Sequence, residues 1–254
     1  EKYGKLIQQK FPKTIDRNEK SPCIIQMKDV SIRFGERVIF KKFNWSIFKD
    51  ENWKIIGPNG SGKSTLLNLI SGDNLQVYSN KIFLFGKRRG TGESIWDIKQ
   101  KLGLVSPELH FRYKEPITAM KVILSGFFDS IGFYQPASKK QKETALNWMN
   151  FLNIENFTDC NFNQLSFGQQ RLILIARSMV KSPQILILDE PCGGLDKSNR
   201  NRVLELIDHI GMNSTTQIIY ISHFTTDELD CMDFELRLKI TENGISRPQI
   251  NKIK

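Results

Sequence analysis

The 254-residue sequence has no apolar run near the roughly 18 residues needed to cross a bilayer. Its longest apolar stretches, 172–176 and 185–188, have the length of core segments. Its first residues are polar and basic, so no signal peptide is expected. The expectation is a soluble protein, with any membrane role supplied by a partner. Cysteine is scarce: Cys23, Cys160, Cys192 and Cys231 stand far apart with no C-x-x-C pair. That argues against a zinc site and for reduced thiols in a cytosol. Acidic residues are outnumbered, 27 against 37 basic, for a net charge of +10. This charge permits a nucleic-acid or anionic-membrane partner. The basic residues form no long tract, however, so a basic surface of no specific role is the preferred reading. There are no internal repeats and no low-complexity segments. With 39% hydrophobic and 25% charged residues, the composition is that of a globular protein of one large or two small domains.

Against these absences stands one dense stretch: Gly57, Pro58, Asn59, Gly60, Ser61, Gly62, Lys63, Ser64 and Thr65. It meets every position of the phosphate-loop pattern G-x-x-x-x-G-K-[ST]. Residues 53–56 before it read as a short strand, and 65–70 after it as the start of an apolar helix. Glycines let the backbone curl so that its N–H groups point at one phosphate. The following helix turns its free N–H groups and positive dipole end toward the same anion. Lys63 would reach the β- and γ-phosphates and the Ser64 hydroxyl would ligate Mg²⁺. A glycine-rich surface turn is the bland alternative, and the strand and helix on either side count against it.

Along the rest of the chain, residues 1–22 read as a linker or N-terminal arm, and 24–30, 31–34, 38–40 and 44–48 as short antiparallel strands. Gly35-Glu36 supplies a turn. Residues 81–85 read as a strand, 94–101 as a helix and 102–106 as a strand closed by Pro107. Helices expected at 117–128 and 139–152 interrupt the strand–helix alternation, which suggests an inserted helical subdomain at about 108–167. Alternation resumes with a helix at 169–181, a strand at 184–188, a helix at 198–210 and a strand at 217–222. A short helix at 226–231 is expected next. Then 234–240 should pair with 244–245 across Asn243-Gly244. The expected fold is α/β with a mostly parallel central sheet.

The buried-type strand 185–188 runs into Asp189-Glu190-Pro191. Carboxylates at the carboxyl end of such a strand sit where α/β sheets bind ligands. Asp189 would hold Mg²⁺ through water and Glu190 would act as general base on the attacking water. The plain alternative is a strand ending in a solvated turn. Leu165, Ser166, Phe167, Gly168 and Gln169 come shortly before. Ser166 and Gln169 have capping-box spacing ahead of an apolar helix. This is either an ordinary capped helix or a second helix N-terminus aimed at a phosphate.

Taken together, these stretches resemble an ATP-binding cassette (ABC) ATPase, over about residues 26–240 and in the family's order. LSFGQ is similar to the LSGGQ signature, with Phe167 at the first glycine. Residues 193–196 resemble the D-loop, Ile221-Ser222-His223 the switch histidine, and 31–35 the segment whose aromatic stacks on adenine. The resemblance implies a P-loop NTPase of ABC type with an antiparallel β subdomain, a cassette spanning 23–254, and ATP and Mg²⁺ as ligands. It implies Phe34 on the base, His223 at the γ-phosphate and Asp196 in communication across a dimer. Ser166 and Gly168 would act in trans on ATP held by another cassette's phosphate loop. One departure is plain: where the family has a glutamine after a strand, this chain reads Ser106-Pro107-Glu108. Any of these three stands in its place.

Two roles follow from the resemblance. One is the ATP-binding subunit of a transporter, cytoplasmic or peripheral on the inner face of the membrane, with a transmembrane permease partner. The other is a soluble tandem-cassette protein for regulation, repair or translation. The Val105–His110 form (VSPELH) is similar to the molybdate-transport-associated or photorepair-type tandem proteins. On that reading the chain, which begins with Glu1, is a C-terminal cassette from a longer polypeptide. The second cassette would be a copy of this chain or a tandem domain.

Overall fold

The computed structural model describes residues 21–92, 94–113, 116–224 and 226–254; the expected arm at 1–22 lies almost wholly outside them. In chain order the strands are β1 (Cys23–Phe34), β2 (Arg37–Phe48), β3 (Trp53–Ile56), β4 (Lys81–Leu84), β5 (Lys87–Arg88), β6 (Leu102–Val105), β7 (Ile185–Asp189), β8 (Gln217–Ser222), β9 (Phe234–Ile240) and β10 (Ser246–Lys252). The helices are α1 (Lys63–Ser71), α2 (Ile95–Lys101), α3 (Pro107–Arg112), α4 (Ala119–Ser125), α5 (Lys139–Phe151), α6 (Phe167–Met179) and α7 (Lys197–Asn213). The chain divides into two compact units. One holds Gln100–Thr216 and Glu228–Cys231; the other holds the segment up to Lys99, Gln217–Asp227 and Met232–Lys254.

The second of these, which we call the loop-bearing unit, contains an antiparallel sheet in the order β2-β1-β4-β5. The four short strands expected at 24–48 are two strands of twelve residues each. The breaks read from the sequence are bulges. The β1–β2 register shifts between Met27 and Val30, where Asp29 has φ 50° and Lys42 has φ 51°. Asn44 pins the irregularity: its amide donates to the Asp29 carboxylate (3.2 Å) and the Lys42 carbonyl (3.0 Å). In the same unit, β3 is buried along its whole length and pairs in parallel with β8 on one side and β9 on the other. An unbroken apolar strand is what burial on both faces demands. Trp45, Trp53 and Phe234 carry one aromatic stack across β2, β3 and β9, with ring centroids 5.4 and 4.8 Å apart. The hairpin at the end of the chain forms one step later than expected. β10 begins at Ser246, and Asn243-Gly244 lie inside a five-residue connection closed by Thr241 N–H to the Ile245 carbonyl at 2.9 Å.

The other unit, which we call the helical unit, is built around α6, eleven of whose thirteen residues are buried. It packs against β6, α4, α5 and α7. β6 and β7 pair in parallel. Arg177 is the buried charge that this packing accommodates. Its Nε donates to Tyr113 Oη (2.6 Å) and Ser125 Oγ (3.1 Å), and its Nη2 to the Ser130 carbonyl (3.0 Å). The expected helix at 117–128 is a seven-residue α-helix that tightens into a 3₁₀ turn at Gly126–Phe128. Gly126 lies so close to the Arg177 carbonyl that a Cβ there would sit 1.9 Å from it. Pro107 does more than close β6: it stands at the first position of α3, whose N-cap is Ser106. No helix forms among the described residues of 226–231. There the chain is committed to tertiary partners instead. The Asp227 carboxylate accepts from Tyr220 Oη (2.7 Å) and Ser222 Oγ (3.1 Å), and the Cys231 N–H donates to Asp208 (2.8 Å).

Candidate nucleotide site

The loop-bearing unit holds Phe34, the whole stretch from Gly57 to Thr65, and His223. β3 delivers the chain into the loop and α1 carries it away. Gly60 (φ 78°) and Gly62 (φ 95°) adopt the left-handed conformation that curls it. Space enforces glycine as well. A Cβ on Gly57 would lie 2.7 Å from the Leu238 carbonyl, and one on Gly62 2.8 Å from Ile39 and Phe40. Arg37, which the sequence did not single out, donates from Nη2 to the Gly60 carbonyl at 3.1 Å and braces the loop tip.

Lys63 is 7% exposed and folds back on the loop, donating to the carbonyls of Gly57 (2.7 Å) and Pro58 (3.1 Å). An ammonium this buried needs such oxygens, and a phosphate would supply better ones. The Ser61 hydroxyl is buried inside the loop without a hydrogen-bond partner among the described residues. Gly62 caps α1 with no side chain, so the first-turn amides are not answered by a cap. The loop therefore fits a phosphate. Ser64 is exposed at the start of α1 and Phe34 is 53% exposed at the end of β1. His223 follows β8 directly, exposed, with its ring 3.9 Å from that of Phe224.

The helical unit holds Asp189, Glu190, Leu165 to Gln169, and Asp196. Asp189 is the last residue of β7 and half-buried. Glu190 takes the left-handed conformation, φ 47°, so the chain turns sharply as it leaves the strand. The Gly193 N–H closes that turn on the Glu190 carbonyl at 3.0 Å. Ser166 and Gln169 form a full capping box: Ser166 Oγ accepts from the Gln169 N–H (3.3 Å) and Gln169 Oε1 from the Ser166 N–H (2.9 Å).

Asp196 caps α7 and accepts from the Asn199 N–H (2.9 Å) and Asn199 Nδ2 (2.6 Å). These bonds, the backbone one first, hold its carboxyl below the usual range. Asn199 also touches the signature: a Cβ on Gly168 would lie 2.4 Å from Asn199 Oδ1. The sequence reading missed Asn199, although its place three residues after a helix-starting Asp196 is capping spacing. Of the three residues standing for the family's glutamine, Ser106 is buried and its hydroxyl accepts from the Leu109 N–H (3.2 Å), while Glu108 is exposed.

Behind the signature lie two groups the sequence did not flag. His110 stacks on Phe167 (centroids 4.8 Å, planes 16° apart). Arg171 is 3% exposed, with Nε and Nη1 unpartnered among the described residues. Burial lowers the His110 pKa from its ordinary 6.5, the Arg171 cation lowers it further, and Gln170 acts the other way. Burial likewise works against the Arg171 charge, while Cys192 and Asp189 favour it.

Known proteins resemble the chain in sequence and in fold. The profile of the ABC transporter family matches residues 40–193, more than half of the chain. ModF, an ABC transporter ATP-binding protein of Escherichia coli (strain K12), is 44% identical over 223 residues, which cover 87% of this chain and 45% of ModF. The chain thus spans less than half the length of that relative. YlmA, an uncharacterized ABC transporter ATP-binding protein of Bacillus subtilis (strain 168), is 33% identical over 217 residues, 85% of this chain and 82% of YlmA. The fold is similar to that of CbiO1 from Clostridium perfringens, part of the ABC transporter complex CbiONQ. The TM-score is 0.75 at 22% identity, covering 92% of this chain and 89% of CbiO1. It is also similar to a dimeric bacterial ABC transporter cassette, with a TM-score of 0.71 at 24% identity, covering 91% and 99%. The chain is a member of the ABC transporter family.

Proposed function

We propose that this chain is the ATP-binding subunit of a transporter and hydrolyses Mg-ATP at an interface it shares with a second cassette. The observation that carries the reading is the loop from Gly57 to Thr65. It has left-handed glycines, a buried Lys63 resting on loop carbonyls, and an unanswered Ser61 hydroxyl, in a chain of ABC sequence. On this reading the phosphates take over the Lys63 contacts, and Phe34 stacks on the base. Glu190 accepts a proton from the attacking water, and His223 contacts the γ-phosphate. Ser64 and Asp189 hold Mg²⁺, which when bound neutralises charge on the phosphate oxygens. Glu108 is the residue we assign to the missing glutamine's place, because Ser106 is committed to capping α3 and Pro107 has no polar side chain.

Ser166 and Gly168 serve a second cassette's ATP, and Asp196, held by Asn199, lies beside them. Closure by a second helix N-terminus shields the γ-phosphate from bulk water and adds donors where charge develops. The cassette comprises 23–254, its helical subdomain about 108–167, and its permease partner would place it on the cytoplasmic face of a membrane. Among the described residues no helix is long and apolar enough to cross a membrane by itself. A second reading is favoured by one observation: ModF leaves more than half its length beyond the matched segment, room for a tandem cassette.

The test is the mass in solution of Glu190→Gln with and without Mg-ATP. A nucleotide-driven doubling supports a cassette that completes its sites with its own copy. Nucleotide binding without a doubling assigns the partner role to a different cassette. No binding at all overturns the proposal.

A further inference from the structure

The family's first signature glycine is Phe167 here, and the structure shows what receives it. Phe167 is the first residue of α6, is 52% exposed, and lays one ring face on His110. His110 is 8% exposed and comes from α3, the short helix that begins at Pro107 directly after β6. Two further rings of the same unit flank it: Phe162, tilted, at 5.8 Å and Phe111 edge-on at 5.6 Å. Its Nδ1 is buried and bonds to nothing among the described residues. A site chosen only to fill space would be served better by a leucine, which leaves no orphaned nitrogen. What the imidazole provides is a flat ring parallel to that of Phe167.

We propose that His110 is a positioning residue for the signature: by stacking on Phe167 it sets where the first-turn amides of α6 point. The inference rests on the reading that Ser166 and Gly168 act on a second cassette's ATP. Gly168 follows the stacked residue, with no side chain and Asn199 against its α-carbon, so a tilt of Phe167 moves its N–H directly. The same helix that carries His110 begins in the segment standing in for the family's glutamine, 106–108, so the stack joins that segment to the signature through α3. Burial and the neighbouring Arg171 cation lower the pKa of this ring, and a Gln170 hydrogen bond acts the other way.

The test uses the full chain carrying Glu190→Gln, so that nucleotide is held without turnover. His110→Leu keeps apolar volume and removes the ring; His110→Phe keeps a ring. The expected results are ATP binding to the single chain unchanged, ATP-driven association weakened about two- to tenfold by His110→Leu, and recovery with His110→Phe, the range measured for aromatic pairs. In a Phe167→Gly background His110→Leu should have no further effect on association. Additive effects in that cycle, or equal losses from Leu and Phe at 110, overturn the stack's role and leave the cassette reading intact. If the parent chain binds no ATP, or does not associate with it, the underlying reading fails and the inference falls with it. Thermal melts of each variant separate lost association from lost folding.

Discussion

Lys63 and Glu190 make opposite predictions, which separates binding from chemistry. Lys63→Ala removes the only side-chain cation of the loop and should abolish ATP binding, read by equilibrium titration. Glu190→Gln keeps the size and shape of the side chain while removing the basic carboxylate, and should retain binding. It should lose turnover by about 10²- to 10⁴-fold, the usual weight of a positioned base, measured as phosphate release. Normal turnover in that variant would remove the general-base role. Gly57→Ala is expected to damage the loop itself, since the methyl group would meet the Leu238 carbonyl at 2.7 Å and a backbone carbonyl cannot swing aside. His110 and His209 give a pH prediction. Each is held below the ordinary 6.5, chiefly by burial. The folded protein therefore favours neutral imidazoles, and as pH falls the unfolded chain takes up protons first. Their contribution to stability is complete above pH 6.5 and is lost as pH drops through the folded-state values. The melting temperature should fall between pH 7.5 and 5.5, and His110→Phe should lessen that fall. At this scale the sequence displayed the nucleotide residues because their types and spacing are local requirements of phosphate chemistry. It hid His110, Arg171 and Asn199, whose meaning depends on what packing brings against them.

Two helices carry the same capping box and so provide each other's control. Ser138 and Gln141 cap α5 as Ser166 and Gln169 cap α6, with both bonds of the box present in each. Ser138→Ala and Ser166→Ala should each cost about 1 kcal/mol of stability, read by denaturant unfolding. Only Ser166→Ala should also weaken ATP-driven association. Equal effects on association would mean that the signature serine acts as a cap and nothing more. The elements that were read correctly, such as β3 and β8, are those whose burial on both faces writes itself as an apolar run. Those misread failed for tertiary reasons. The bulges at Asp29 and Lys42 looked like strand ends because Asn44, fifteen residues from Asp29, is what keeps the ladder going. Residues 226–231 looked helical because nothing local announces that Asp227 is spoken for by Tyr220 and Ser222.

On the scale of the whole chain, the compact units are not consecutive in sequence. The described chain passes from one to the other at residues 99–100, 216–217, 227–228 and 231–232. A fragment of 100–216 made alone would therefore lack the Glu228–Cys231 segment, whose Cys231 N–H bonds Asp208. It should unfold with less cooperativity than the full chain in a calorimetric scan. The interleaving also explains why no linker is visible between the units in the sequence: there is no single boundary to mark. The strand under the phosphate loop illustrates what this implies for a growing polypeptide. β3 is flanked by β8 and β9, so Trp53 waits for Ile219 on one side and Phe234 on the other. A ribosome will have released the loop long before the strands that hold it exist. Nucleotide can act as a folding ligand only once β8 and β9 have been made and have closed around a loop made long before them.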